Sequence, residues 1–175
     1  MNTSTNRFSQ LTQPALIMSS VHRALVQTDA NPVPAITRIV LGGVILPHGA
    51  QKLLGWFGGY GFDGTMSYFT DTLHIPWILA LGVIITEVAG GFALLAGFAT
   101  RIAAAGVAIV LATAAVMVHA PHGFFMNWFG NQQGEGVEFF ILALAIAGLV
   151  IWHGVGAFSV DWLLTRGGDR QRGGR

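Results

Sequence analysis

Residues 76–98 read PWILALGVIITEVAGGFALLAGF, a stretch long and apolar enough to cross a lipid bilayer. A hydrocarbon core about 30 Å thick needs roughly 20 mostly apolar residues per helix. The one charged residue of this stretch, Glu87, is eleven positions from either end and is therefore expected near the middle of the membrane. An acidic side chain at that depth has to be protonated, paired or turned towards a polar interior, because a charge facing lipid costs several kcal/mol.

Three further segments approach the same length, at about residues 36–54, 102–118 and 137–158. The composition of the whole chain agrees with a membrane protein. Of its 175 residues, 53% are hydrophobic and only 10% are charged, whereas soluble domains carry roughly 25% charged residues. We therefore predict an all-α fold, an integral membrane four-helix bundle that occupies residues 36–163 as one domain.

Basic residues predict the orientation of this bundle, since lysine and arginine near helix ends stay on the cytoplasmic side. Only Lys52 falls on one side, and the eight others share the opposite side: Arg7, Arg23, Arg38, Arg101, Arg166, Arg170, Arg172 and Arg175. We predict a bacterial inner-membrane protein with both termini cytoplasmic and the outer loops facing the periplasm. Residues 1–35 are expected to be a disordered extension or an amphipathic helix on the membrane, and residues 164–175 a disordered basic tail.

Composition and context exclude several kinds of site. The chain has no cysteine, which excludes disulfides, thiol redox chemistry and iron–sulfur clusters. Its formal net charge of +1 gives no reason to expect a nucleic-acid partner. Gly59, Gly61 and Gly64 have the G-x-G-x-x-G spacing of dinucleotide-binding proteins, but a membrane helix precedes them and an aromatic loop is expected to follow. We therefore predict no nucleotide cofactor, and expect these glycines to let the backbone turn sharply.

Polar side chains collect at the predicted outer ends of the helices. His48, Gln51 and Lys52 have the spacing that places them on one helical face. Snorkelling to the membrane surface is the commoner explanation for a lone lysine there. We nevertheless predict an outer-face cavity, with Glu87 as a candidate proton carrier. The predicted ligand contacts are Arg38, His48, Gln51, Lys52, Trp56, His119, His122 and Glu138.

Aromatic residues crowd both predicted outer loops, among them Trp56, Tyr60, Tyr68, Phe69, Phe124 and Trp128. An interfacial aromatic belt is the usual explanation, and a lid over a flat apolar ligand is the other. A quinone fits such a lid, because aromatic rings hold its body while His, Lys or Glu bind its oxygens. Proline interrupts the H-x-x-H spacing of His119 and His122 and no carboxylate adjoins it, so we predict no metal site.

Four stretches of the chain resemble the four blocks of the DoxX family of small bacterial membrane proteins: RIVLGGVILPHGAQKLLGWFGGYGFDGT, EVAGGFALLAGFATRIAA, VHAPHGFFMNWFGNQQGEGVEFFILALAIA and GVGAFSVD. The resemblance covers about residues 36–163 and implies a four-helix membrane bundle. The family takes its name from a subunit of an archaeal thiosulfate:quinone oxidoreductase, and other members are linked to membrane oxidoreductase complexes. The motif residues that it carries over are Arg38, His48, Lys52, Glu87, Arg101, His119 and Glu138.

These observations predict a redox-associated membrane subunit that binds quinone or quinol, and they leave open whether it is an enzyme. The main alternative is a non-catalytic scaffold or assembly factor for a partner oxidoreductase. A transporter and a b-type haem protein are less favoured; the haem ligands would be two of His48, His119, His122 and His153. The expected partners are the lipid bilayer, a membrane or extracytoplasmic oxidoreductase, and further copies of the chain.

Overall fold

The computed structural model describes residues 32–161, and this part of the chain is helical without any β-strand. Within these residues, three helices are long and apolar enough to cross a membrane: α1 (Pro32–Leu54), α3 (Trp77–Ala96), and the helix that starts as α4 (Thr100–Ala114). The last of these continues to His122 through a π-helical and a 3₁₀ turn. A short helix, α2 (Gly61–Ser67), lies between α1 and α3, and α5 (Glu138–His153) closes the series with 16 residues.

The helices differ from the predicted segments at several points, and the third segment, predicted for residues 102–118, runs from Thr100 to His122. Residues 32–35, which were assigned to the N-terminal extension, belong to α1. The loop after α1 is not irregular throughout, because α2 follows its glycines and continues into a π-helical turn. The fourth predicted segment reached residue 158, but α5 ends at His153 because Gly154 has a φ of 79°. The predictions for residues 1–31 and for the tail 164–175 fall outside the described residues.

Glycines set the contact between α1 and α3. A Cβ atom on Gly49 would lie 2.9 Å from the backbone nitrogen of Val88, and one on Gly42 would lie 2.9 Å from the carbonyl oxygen of Gly91. A side chain at either position would push the two helices apart, so their backbones meet directly. Gly90 faces α4 instead, where its Cβ would be 3.3 Å from a Val107 methyl group. Gly90 and Gly91 follow Glu87 by three and four residues, a spacing that predicts a close helix approach on this face. The structure has such an approach on two sides of α3, towards α1 and towards α4.

The helices pack in a closed order, with α1 against α3 and α5, and α4 against the same two helices. The largest buried cluster comes from all four of them and includes Leu41, Ile45, Leu94, Val107, Phe140 and Val150. A second, smaller cluster joins α2 to the first half of α3 through Met66, Ala80 and Ile84. The loop between α1 and α3 is therefore packed onto the helices rather than extended away from them.

The two ends of the molecule are built differently. We call the end with the α3–α4 turn and segment 154–161 the turn end, and the opposite end, with loops 55–76 and 123–137, the loop end. At the turn end Arg38 is fully buried, and its guanidinium donates five hydrogen bonds of 2.6–3.3 Å to backbone carbonyls of Leu94, Leu95, Val155, Ala157 and Phe158. Asp161 accepts hydrogen bonds from the backbone nitrogens of Ala99 and Thr100, where α4 begins.

Candidate functional site

Glu87 is paired with Lys52. The Nζ atom of Lys52, in the last turn of α1, lies 2.7 Å from Oε2 and 3.0 Å from Oε1 of Glu87 on α3. Glu87 is only 7% exposed, whereas the Lys52 side chain is 25% exposed. Oε2 has no partner other than this ammonium within the described chain. The acid in the middle of α3 is therefore accommodated by one opposite charge, which satisfies the pairing expected of an intramembrane carboxylate.

The two members of the pair start from different levels of their helices. The backbone of Glu87 lies level with Gly49, because a Cβ on Gly49 would be 3.0 Å from the Glu87 carbonyl carbon. Lys52 lies three residues further along α1, which is about 4.5 Å at the helical rise. The two side chains span this difference and meet in the ion pair. The ion pair thus gives the Lys52 ammonium a protein partner, which snorkelling to the membrane surface does not require.

A half-open cleft of about 260 Å³ lies beside the lysine at the loop end. It is bounded by the last turn of α1, the glycine turn that follows it, and α2 with its π-helical extension. The lining residues are Gln51, Lys52, Gly58, Gly59, Tyr60, Thr65, Tyr68 and Phe69. The cleft thus presents an ammonium, an amide and hydroxyl groups next to aromatic rings.

The glycines after α1 shape this cleft. Gly55, Gly58 and Gly61 have φ angles of 72°, 79° and 68°, a left-handed conformation that only glycine adopts without strain. Gly59 packs directly on the backbone of Gln51, leaving no room for a side chain. The amide nitrogen of Gln51 in turn donates a 3.4 Å hydrogen bond to the Phe57 carbonyl. Of the three glycines expected to let the backbone turn, Gly61 has the left-handed conformation and Gly59 packs on α1, whereas Gly64 lies inside α2.

Trp56 lies next to the cleft in sequence but does not line it. Its indole is 59% exposed and meets the Phe57 ring edge-on, with centroids 6.3 Å apart. Tyr68 and Phe69 of the π-helical turn take the place expected for it, together with Tyr60. Tyr60, Tyr68 and Phe69 are among the aromatic residues of the predicted outer loop, but nothing in their spacing distinguished them from Trp56. Thr65, which is buried at 4%, carried no sequence signal at all.

His48 faces away from the cleft, towards α5. Its ring centroid lies 6.0 Å from that of Phe139, which is 5.3 Å from Phe140, and Phe140 is 4.3 Å from His119. His48 and His119 therefore pack against different phenylalanine rings of α5.

His119 and His122 belong to a second cluster, in loop 123–137 and at its start. The Nδ1 atom of His119 donates a 2.9 Å hydrogen bond to the carbonyl oxygen of Glu135, since a carbonyl can only accept. His122 packs against Gly134, where a Cβ would lie 2.6 Å from the imidazole Nε2 atom. Residues 32–161 contain no group of three side chains that could hold a metal ion.

Glu138 has a structural partner in the same loop. Its Oε2 atom accepts a 3.2 Å hydrogen bond from the backbone nitrogen of Met126, and the carboxylate of Glu135 accepts one from the backbone nitrogen of Asn127. Backbone hydrogen bonds also join the beginning of the loop to its end, including one of 2.9 Å from the Glu138 nitrogen to the Phe124 carbonyl oxygen. Both carboxylates therefore hold this loop in shape.

The structure thus separates the predicted ligand contacts, with His48 facing α5 and Trp56 outside the lining of the cleft. Gln51 and Lys52 line the cleft, with Glu87 directly behind the lysine. His119, His122 and Glu138 lie in the other loop. Arg38 lies 14 residues before Lys52 on α1, about 21 Å away at the helical rise, and all five of its hydrogen bonds go to backbone carbonyls. Arg38 therefore does not belong with the ligand contacts.

Comparison with known proteins gives two matches that cover this region. The sequence model of the DoxX family matches residues 33–120, which include both members of the ion pair. The inner membrane protein YqjF of Escherichia coli (strain K12) is 32% identical over 115 residues, which is 64% of this chain and 81% of that protein. No solved structure gives a significant match.

Proposed function

We propose a ligand for this chain, which belongs to the DoxX family of membrane proteins. The ligand is a quinone or quinol, whose ring binds in the cleft beside Lys52. The observation that carries this proposal is the Lys52–Glu87 ion pair at the edge of a cleft walled by aromatic residues. A flat ring with an oxygen at each end needs apolar walls and a few placed polar groups, and ligand sites have that composition in general.

The cleft matches the chemistry of such a ring. Phe69 and the tyrosine rings offer apolar surface, while the Lys52 ammonium and the Gln51 amide can donate hydrogen bonds to a carbonyl oxygen. The volume of about 260 Å³ falls slightly below the roughly 300–1,000 Å³ of sites for drug-sized ligands, so it suits a single substituted ring. Glu87 adds a group behind the lysine that can take up a proton when a bound quinol releases one.

We place the loop end in the periplasm and the three long helices together with α5 across the inner membrane. Arg38 and Arg101 lie at the turn end and Lys52 at the loop end, which agrees with the rule that basic residues stay cytoplasmic. The 16 residues of α5 rise about 24 Å, less than a hydrocarbon core of about 30 Å, a mismatch that local thinning of the bilayer or snorkelling residues at the helix ends accommodate.

Binding of a short-chain benzoquinone to the purified protein in lipid nanodiscs tests this function. We expect quenching of tryptophan fluorescence and a rise in the unfolding temperature. Lys52→Met should weaken binding about 10- to 100-fold, since a hydrogen bond from a charged donor contributes about 1.5–3 kcal/mol and each 1.4 kcal/mol is about tenfold in affinity. The control is His122→Leu in the other loop, which should bind as the unaltered protein does. Absence of binding, or equal weakening by both variants, would contradict the proposal.

The second candidate function is a non-catalytic scaffold for an oxidoreductase, and loop 123–137 favours it. This loop is fixed by Glu135 and Glu138 but displays Trp128 at 76% and Phe129 at 89% exposure. Large exposed aromatic patches mark contact surfaces for proteins or membranes. A photo-crosslinking residue at position 129 in living cells should capture an oxidoreductase subunit if this candidate is correct, whereas only lipid adducts would count against it.

A further inference from the structure

A second cavity lies between α1 and α3 on the surface that faces lipid in the proposed membrane orientation. It is a groove of about 170 Å³ with an entirely aliphatic lining. The lining residues are Leu53, Leu81, Ile84, Ile85, Val88 and Ala89. Ile85 is 54% exposed and Ala89 is exposed as well, so the groove opens sideways rather than into the core.

The groove arises where the close contact of the two helices ends. Gly42 and Gly49 bring the backbone of α1 directly against α3. One turn beyond Gly49, the residue of α1 that faces α3 is Leu53, opposite Leu81 and Ile84. Side chains of this size hold the helix backbones apart. The groove therefore lies between the two helices where their direct backbone contact ends.

The groove and the cleft are formed by neighbouring residues. Leu53 of the groove follows Lys52 of the cleft in α1. Val88 of the groove follows Glu87, the partner of Lys52, in α3. Phe69 of the cleft packs against the apolar cluster that contains Ile84 of the groove. A polar site for a ring and an aliphatic site for a chain therefore lie close to the same ion pair.

We infer that the groove holds the first part of the hydrocarbon tail of an isoprenoid quinone whose ring occupies the cleft. This inference rests on the proposed function and names its ligand class as a membrane-borne, tailed quinone rather than a small water-soluble one. The cleft is filled by a ring, so a tail has to leave it. The groove offers aliphatic surface at the depth of Glu87, and its open side gives the ligand a path from the bilayer between α1 and α3.

Filling the groove tests the inference. Ala89→Leu adds three carbons to an exposed alanine in the groove, and Ala145→Leu makes the same change at an exposed alanine of α5, as a matched control. The affinities of a long-tailed and a short-chain benzoquinone are measured for both variants and for the unaltered protein. All samples use identical nanodiscs, so the partition of each quinone into lipid is the same for every variant and does not affect the comparison between variants. We expect Ala89→Leu to weaken binding of the tailed quinone about tenfold and to leave the short-chain quinone unchanged.

The possible outcomes separate the two proposals. Weakening of the tailed quinone alone, by Ala89→Leu alone, supports the groove as the tail site. If Ala89→Leu leaves the tailed quinone unaffected, or if Ala145→Leu weakens it equally, the inference is overturned while the short-chain result still supports the cleft. If the unaltered protein binds neither quinone, the proposed function fails and this inference fails with it.

Discussion

Breaking the Lys52–Glu87 pair should destabilise the protein by amounts that depend on which partner is removed. Lys52→Met leaves a carboxylate that is 7% exposed in the middle of α3 and has lost the partner of Oε2. Removing one member of a buried pair costs about 3–5 kcal/mol. Glu87→Gln instead leaves an ammonium that is 25% exposed beside a half-open cleft, where water can solvate it, so we expect a loss of about 1–2 kcal/mol.

The double variant provides the sharper comparison. With both charges removed, no unpaired ion remains, and we expect the free energy of unfolding to return to within about 1–2 kcal/mol of the unaltered protein. Reversible unfolding in mixed detergent micelles, followed by far-UV circular dichroism, measures all three variants. Gln51→Met is the control, because it alters a neighbouring polar residue without touching the pair. Equal losses from the two single variants, or additive losses in the double variant, would refute the reasoning.

Three further predictions concern packing, the turn end and acid stability. Gly49→Ala should lower the free energy of unfolding by about 1–3 kcal/mol, because the new methyl group meets the α3 backbone. Gly43→Ala is the control and should lower it by nothing, because its methyl group meets no atom within 4 Å. Chemical unfolding of the two variants measures the difference. Arg38→Lys should lower the unfolding temperature strongly, because lysine cannot reach five carbonyl oxygens, and Arg38→Met should restore none of the loss. Hydrogen bonds from the hydroxyls of Ser67 and Thr70 lower the pKa of Asp71 from its ordinary 3.8. The ionised carboxylate therefore stabilises the fold above about pH 4, and this contribution is lost as the pH falls through the lowered pKa. The acid-induced drop in unfolding temperature should therefore be smaller in Asp71→Asn; an identical drop would contradict the assignment.

Hydropathy was sufficient to locate the long helices, because lipid imposes the same length on each of them. It failed at the end of α5, where Val155, Ala157 and Phe158 continue the apolar run although the helix has stopped. The stop depends on the left-handed backbone of Gly154, which no sum of hydrophobicity detects. Gly90 and Gly91, three and four residues after Glu87, were informative in the sequence itself. Small residues on the face of a membrane helix that carries an acid indicate that another helix packs closely there.

The partner of Glu87 was beyond sequence reasoning. Lys52 is 35 residues away, and the contact depends on the register of α1 against α3, which Gly49 sets through tertiary packing. Local spacing grouped Lys52 with His48, yet the helix turns the histidine towards α5. Glu138 had the appearance of a ligand contact only because its partner, a backbone nitrogen of the loop, leaves no trace in the sequence.

Photolabelling tests the central claim, that the ring of a quinone binds beside the Lys52–Glu87 pair, most directly. A benzoquinone with a photoreactive group on its ring would be irradiated with the protein in nanodiscs, and the labelled peptides identified by mass spectrometry. The account predicts adducts within residues 51–69 that disappear when excess unlabelled quinone is present. Adducts confined to loop 123–137, or labelling that excess quinone does not reduce, would contradict it.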